Sequence, residues 1–253
     1  MSYETPILTA GGASNQSVYE AVETARHPVG TSATMSDGRR FVYSCNRGSA
    51  IAAGRLIKMT EPASTDAALA VNTAAAGDTT LDLTFGGSTT LAVNQLAGGY
   101  VNVQDDTGEG QLYRIEAHPA LSAATALTVT IEAIRVAFSA DTTVSVIQHP
   151  NNNVAIADAG NYTQKIVGAT PTAVGAGSST PQFFWAQTYG PASVLNEATA
   201  DVGTQLSVAP NDAGAVGLSA EGGSGTGTYD PIVATMLDLA GLDTEHAAVF
   251  LQL

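Results

Sequence analysis

Between residues 78 and 150 the chain alternates apolar and polar positions in short runs. TLDLTF, TLAVN, GYVNVQD, GQLYRIEA, ALTVTIEA and TVSVIQ each carry the period of two that buries one strand face and wets the other. The breaks hold turn residues: Gly86-Gly87, Gly98-Gly99, Asp106-Thr107-Gly108 and Asp141. Strands at this spacing predict an antiparallel sandwich or barrel. Residues 151–253 repeat the style less regularly, with candidate strands QKIVGA, QFFWAQT, TQLSVA, PIVATML and HAAVFLQL. Gly- and Ser-rich loops at 175–181 and 221–230 separate them. A turn at Asp37-Gly38 feeds a further strand over Arg39 to Ser44. The stretch from Val18 to Arg26 admits one short helix, ended by Pro28 and Gly30.

The expected fold is therefore all-β, with antiparallel β-sandwich or barrel-like domains, an extended N-terminal arm and little helix. Four parts are expected: an arm over 1–35, a strand segment and connector over 36–77, a β-domain over 78–150, and a second β-rich domain over 151–253 that ends on a C-terminal strand. The weak pattern of 61–77 sets the boundary. The arm follows from scarcity. Ile7, Leu8, Val18, Tyr19 and Val22 are its main large apolar residues, too few to order the segment alone. It is expected to order by lying on another chain.

Composition narrows the function. With 44% hydrophobic and 13% charged residues, the chain has ample material for a core and is not disordered by composition. The net charge is -14, unevenly spread. The first 60 residues hold six of nine basic side chains, Arg26, Arg39, Arg40, Arg47, Arg55 and Lys58, against four acids, so residues 61–253 carry -16. An acidic body argues against nucleic acid, whose phosphates need neutralising charge. Cys45 is the single cysteine, which excludes an intrachain disulfide or a Cys-rich metal cluster. No apolar run approaches the roughly 18 residues that read as a bilayer span. The opening MSYETPILTA lacks the basic-then-apolar order of a secretion leader. These readings imply synthesis in a reducing cytoplasm and no membrane partner.

Catalytic patterns are wanting. His27, His118 and His149 each precede a proline, which marks strand ends and loops, and no HExxH spacing occurs. Asp105-Asp106-Thr107-Gly108-Glu109 lacks the alternating ligands of a calcium loop and reads as a hairpin turn. Gly222 to Gly227 resembles a phosphate cradle only in glycine content, and no GxSxG elbow is present. No catalytic, cofactor or metal residue is assigned. Phe183-Phe184-Trp185 with Tyr189 is the densest aromatic group. It reads either as a core strand or as an exposed platform in which Trp185 and Tyr189 contact a subunit or a glycan.

Four stretches carry a resemblance. GRRFVYSCNRGSAIAAGRLIKM (38–59), AGGYVNVQDDTGEGQLYRIEAHPAL (97–121), QFFWAQTYGPASVL (182–195) and the closing AGLDTEHAAVFLQL are similar, in order, to structural proteins of tailed bacteriophages, most of all head decoration (cement) proteins. Val42 stands where that family tends to an arginine. The resemblance implies a homotrimer bound to the major capsid protein on the outer surface of the virion, made in the host cytoplasm, with no cofactor. On this reading Arg26, Arg39, Arg40, Arg47, Arg55 and Lys58 are candidate contacts to an acidic capsid surface. A tail, baseplate or fibre component, or a carbohydrate-binding module on the particle, are the alternatives.

Overall fold

The structure is a computed structural model that describes residues 6–8, 14–60, 68–197, 199–219, 230–238 and 245–253. The fold is all-β, with no helix among the described residues. The strands before residue 61 are β1 (Ile7–Leu8), β2 (Ser32–Thr34), β3 (Arg40–Asn46) and β4 (Leu56–Met59). Next come β5 (Leu69–Val71), β6 (Thr80–Leu91), β7 (Tyr100–Asp105), β8 (Leu112–Ala117), β9 (Leu121–Ile131) and β10 (Thr143–Ile147). The rest are β11 (Val154–Ile156), β12 (Ile166–Ala169), β13 (Gln182–Asn196), β14 (Gln205–Val208), β15 (Val216–Leu218), β16 (Ala234–Met236) and β17 (Glu245–Gln252). They form two compact units, one from Glu61–His149 and the other from Met1–Thr60 with Pro150–Leu253.

The Glu61–His149 unit is a closed antiparallel barrel in the order β10-β5-β6-β9-β8-β7, sealed by pairing of β7 with β10. Its inward residues recur at every second position: Leu81, Leu83 and Phe85 on β6, Val101 and Val103 on β7, Leu127, Val129 and Ile131 on β9. The alternation in the sequence is thus the inside and outside of one barrel wall. The barrel starts earlier than the connector reading placed it. Leu69 and Val71 alternate with exposed Ala70, and this short run suffices to fill the gap between β10 and β6. Residues 61–67 of that connector lie outside the described residues. Buried His118 accepts the Leu96 N–H on Nε2 at 2.8 Å, so its Nδ1 carries the proton toward Pro119 O at 2.7 Å.

The other unit is organised by β13. Its first half pairs with β3, from Gln182↔Asn46 to Gln187↔Phe41, and its second half with β17, from Tyr189↔Gln252 to Asn196↔Glu245. The change of partner coincides with a register shift between Gln187 and Tyr189, and with Gly190 at φ +90°. Only a residue without Cβ holds that conformation cheaply, so Gly190 lets the strand bend there. Pairing then runs β13-β15-β14-β16-β17 and returns to β13, closing a ring. Strand β4 carries β11 on one edge and β12 on the other.

Four consecutive residues of β13, Phe184 to Gln187, are buried. Both faces of the strand are covered. Trp185 packs with Val18, Ala33, Met35, Phe41 and Tyr43, whereas Phe184 and Ala186 pack with Ile51, Ile57, Val154, Val167 and Val174. Two-sided burial removes alternation, which is why this half of the chain read irregularly.

The described part of the expected arm, residues 14–35, is not an arm. Val18, Ala33 and Met35 are at most 5% exposed within the Trp185 cluster. Gln16 is buried and bonds on three sides: its Nε2 donates to Glu20 O at 2.9 Å and Phe183 O at 3.2 Å, and its Oε1 accepts the Tyr43 hydroxyl at 2.6 Å. Few apolar residues suffice because the body supplies the other side of each contact. The short helix over Val18 to Arg26 does not form. Val22 instead exchanges two backbone hydrogen bonds with Phe183, at 2.9 and 2.7 Å. Residues 1–5 and 9–13 of the arm, and 221–229 of the expected loop, lie outside the described residues.

Candidate functional site

The cations singled out from sequence surround β3, β4 and the loops beside them, and most already have local partners. Arg26 pairs with Glu20 at 3.1 Å, and Arg39 Nε donates to Asp37 at 2.7 Å. Lys58 forms a short ion pair with Asp158. Asp37 shows the competition plainly: desolvation pushes its carboxyl up, but the hydrogen bonds and charge of Arg39 outweigh this and hold it below its ordinary value. Arg47 donates to Asn152 Oδ1 at 3.2 Å and Arg55 to Ala213 O at 2.7 Å, partners that orient the charge without neutralising it. Arg40 lies over the Tyr189 ring, 4.8 Å from its centroid. The six therefore divide by chemistry. Arg26, Arg39 and Lys58 are neutralised by acids of the same chain, and Arg40, Arg47 and Arg55 form no ion pair among the described residues.

The aromatic platform divides too. Trp185 is fully buried, 4.9 Å from Tyr43 and 5.3 Å from His27 by ring centroids, so its faces are not available to a glycan or a subunit. Its neighbours on the strand decide this, since β13 has cores on both sides. Tyr189 is 36% exposed, but Arg40 covers its ring and Phe250 meets its edge at 5.0 Å. Trp185 and Tyr189 therefore make no joint platform. His27 belongs to the same interior. Burial first, and the Arg26 charge second, hold it below its ordinary value, and its Nε2 lies 3.0 Å from Ser14 Oγ.

At the bend of β13 a cleft of about 410 Å³ opens beside Arg39, Tyr19, Thr170, Gln187, Ser193 and His246. Gly54, at φ +69°, forms part of its wall, and a Cβ there would lie 2.4 Å from the His246 ring. The Gln187 amide donates to three carbonyls of the bend, including Pro191 O at 2.7 Å, and so pins the wall from inside. The Arg39 charge at this cleft is spent on Asp37 and on a 3.3 Å bond to Tyr19 Oη. No group of three or more metal-ligating side chains occurs among the described residues. The sequence reading missed His246 and Thr170 here, because Gly54, Thr170 and His246 are far apart in the chain and only β4, β12 and β17 bring them together.

Comparison of the chain with protein-family models, with curated proteins and with solved structures returns no match.

Proposed function

We propose that the chain is a structural protein of a tailed-bacteriophage particle: a capsid decoration protein that binds the outer surface of the major capsid protein lattice and stabilises the head. The observation that carries the reading is where its resemblance falls. The stretches 38–59, 182–195 and the C-terminal one contain β3, β13 and β17, and β13 pairs with both of the others. Stretches as far apart in sequence as 38–59 and 240–253 thus join one continuous sheet, as pieces of a single structural signature would. A β body of this kind, with strong net acidity, suits a protein that must stay soluble at high copy number.

On this reading the protein acts as a homotrimer and binds the assembled lattice rather than loose subunits, so that mass action favours the closed shell. Attachment draws on the cations that form no ion pair among the described residues, with Arg47 and Arg55 foremost. Exposed ion pairs contribute only about 0–1 kcal/mol each, but contacts repeated across a trimer add through avidity. The experiment is co-sedimentation of the purified protein with particles lacking it, followed by cryo-electron microscopy. Density on the outer shell at every lattice position is expected, and Arg47→Ala with Arg55→Ala should weaken binding more than Arg26→Ala with Lys58→Ala. Density confined to the tail would replace this reading with that of a tail component.

A further inference from the structure

Arg39, just before β3, and Arg40, its first residue, line different cavities. Arg40 lines the second, a groove of about 700 Å³ across β2, β3, β13 and β12. Lys165 lines it as well, together with the half-buried apolar side chains Val42 and Ile166 and the hydroxyls of Thr34 and Thr188. No acidic side chain borders it among the described residues. Acids outnumber bases in this chain by 23 to 9, so a cation finds an acid partner easily. Yet the four ion pairs among the described residues include neither Arg40 nor Lys165.

The Arg40 guanidinium is held in place without being neutralised. It lies over the Tyr189 ring, which Phe250 braces from the side, and a guanidinium held over a ring by its face can still offer its N–H edge for a forked contact. Two cations with no ion pair among the described residues, beside an apolar wall in a cavity of the size that encloses small organic ligands, make a site of defined chemistry. We propose that this groove binds a small organic acid, a carboxylate carried on an aliphatic or aryl body, with Arg40 forking the carboxylate, Lys165 adding its charge, and Val42 and Ile166 covering the body. The test of this site does not use particles, so its outcome is read separately from capsid attachment.

The test is calorimetric titration of the full chain, at neutral pH and low salt, with hexanoate, 4-phenylbutanoate and indole-3-acetate, each beside its neutral primary amide. At least one acid is expected to bind, with its amide at least about tenfold weaker, since a charge-assisted forked contact is lost. Arg40→Gln and Lys165→Gln should each weaken that acid about tenfold and leave the amide unchanged. Both side chains are exposed, so both variants should unfold at the parent's urea midpoint. The proposal is overturned if none of the three acids binds, if acid and amide bind alike, or if both variants bind the acid as the parent does. Binding of the peptide acetyl-Glu-Leu-Glu-Val-amide in place of all three acids also overturns it, and assigns the groove to a protein partner.

Discussion

Replacing Gln16 with alanine tests whether residues 14–35 belong to the body of the protein. The substitution removes three side-chain hydrogen bonds: two donated to Glu20 O and Phe183 O, and one accepted from the Tyr43 hydroxyl. Gln16 is 1% exposed and Tyr43 is fully buried, so water does not readily replace the lost partners. Each bond contributes about 0.5–1.5 kcal/mol net, and a buried hydroxyl left unpaired costs more, so the expected loss is about 2–4 kcal/mol. With a urea dependence of about 2 kcal/mol per molar, the unfolding midpoint should fall by about 1–2 M. The assay is unusually selective. Trp185 is the only tryptophan and packs against Tyr43, so its fluorescence follows this unit and not the barrel. Asn15→Ala, one residue away and exposed, is the control and should change stability by less than about 0.5 kcal/mol. A Gln16→Ala midpoint within about 0.3 M of the parent's would refute the reasoning and return residues 14–35 to the status of a loose arm.

Three further outcomes follow from particular contacts. His27 and His149 are both held below the ordinary value of 6.5, in each case by burial first and by a neighbouring arginine second, so the unfolded chain binds protons more readily. The stability they confer is complete above pH 6.5 and is lost as pH falls through their folded values; the Trp185 midpoint, which follows the unit that holds His27, should therefore drop between pH 7 and 5.5, less steeply in His27→Gln, whereas His149 acts on the barrel, and a Trp185 midpoint that rises on acidification would contradict this. Burial pushes the Cys45 thiol up to about 11 against the opposing charge of Arg47, so Ellman's reagent at pH 8 should leave the native protein unmodified and titrate one thiol per chain in urea. Gly54→Ala combines a φ of +69° with a clash against His246, and should cost about 1–2 kcal/mol by urea denaturation, partly recovered by adding His246→Ala, which relieves the clash but not the backbone strain.

How much the sequence determined depended on how each strand is buried. In the barrel, one face of every strand meets the core and the other faces outward, so the period of two in TLDLTF or ALTVTIEA is written directly in the residues. The all-β class followed from that, and so did the turns at Gly98-Gly99, Asp106-Thr107-Gly108 and Asp141; the break expected at Gly86-Gly87 is not one, since both glycines lie inside β6, which runs on from Thr80 to Leu91. Strand β13 gave no such signal, because Trp185 and Phe184 enter cores on opposite faces, and a strand buried on both sides has nothing to alternate with. The segment 14–35 misled for a related reason. Counting its own apolar residues could not reveal that Phe41, Tyr43 and Trp185 would supply the rest of its core. The cations were visible as a list, but their meaning was not. Tertiary contacts alone decided that Asp158, a hundred residues along the chain, neutralises Lys58, and that Lys165, overlooked in the acidic body, joins Arg40 at one groove. Local periodicity records burial along a single strand, whereas charge pairing and cavity walls depend on which distant strands become neighbours, and that is settled only when the sheets close.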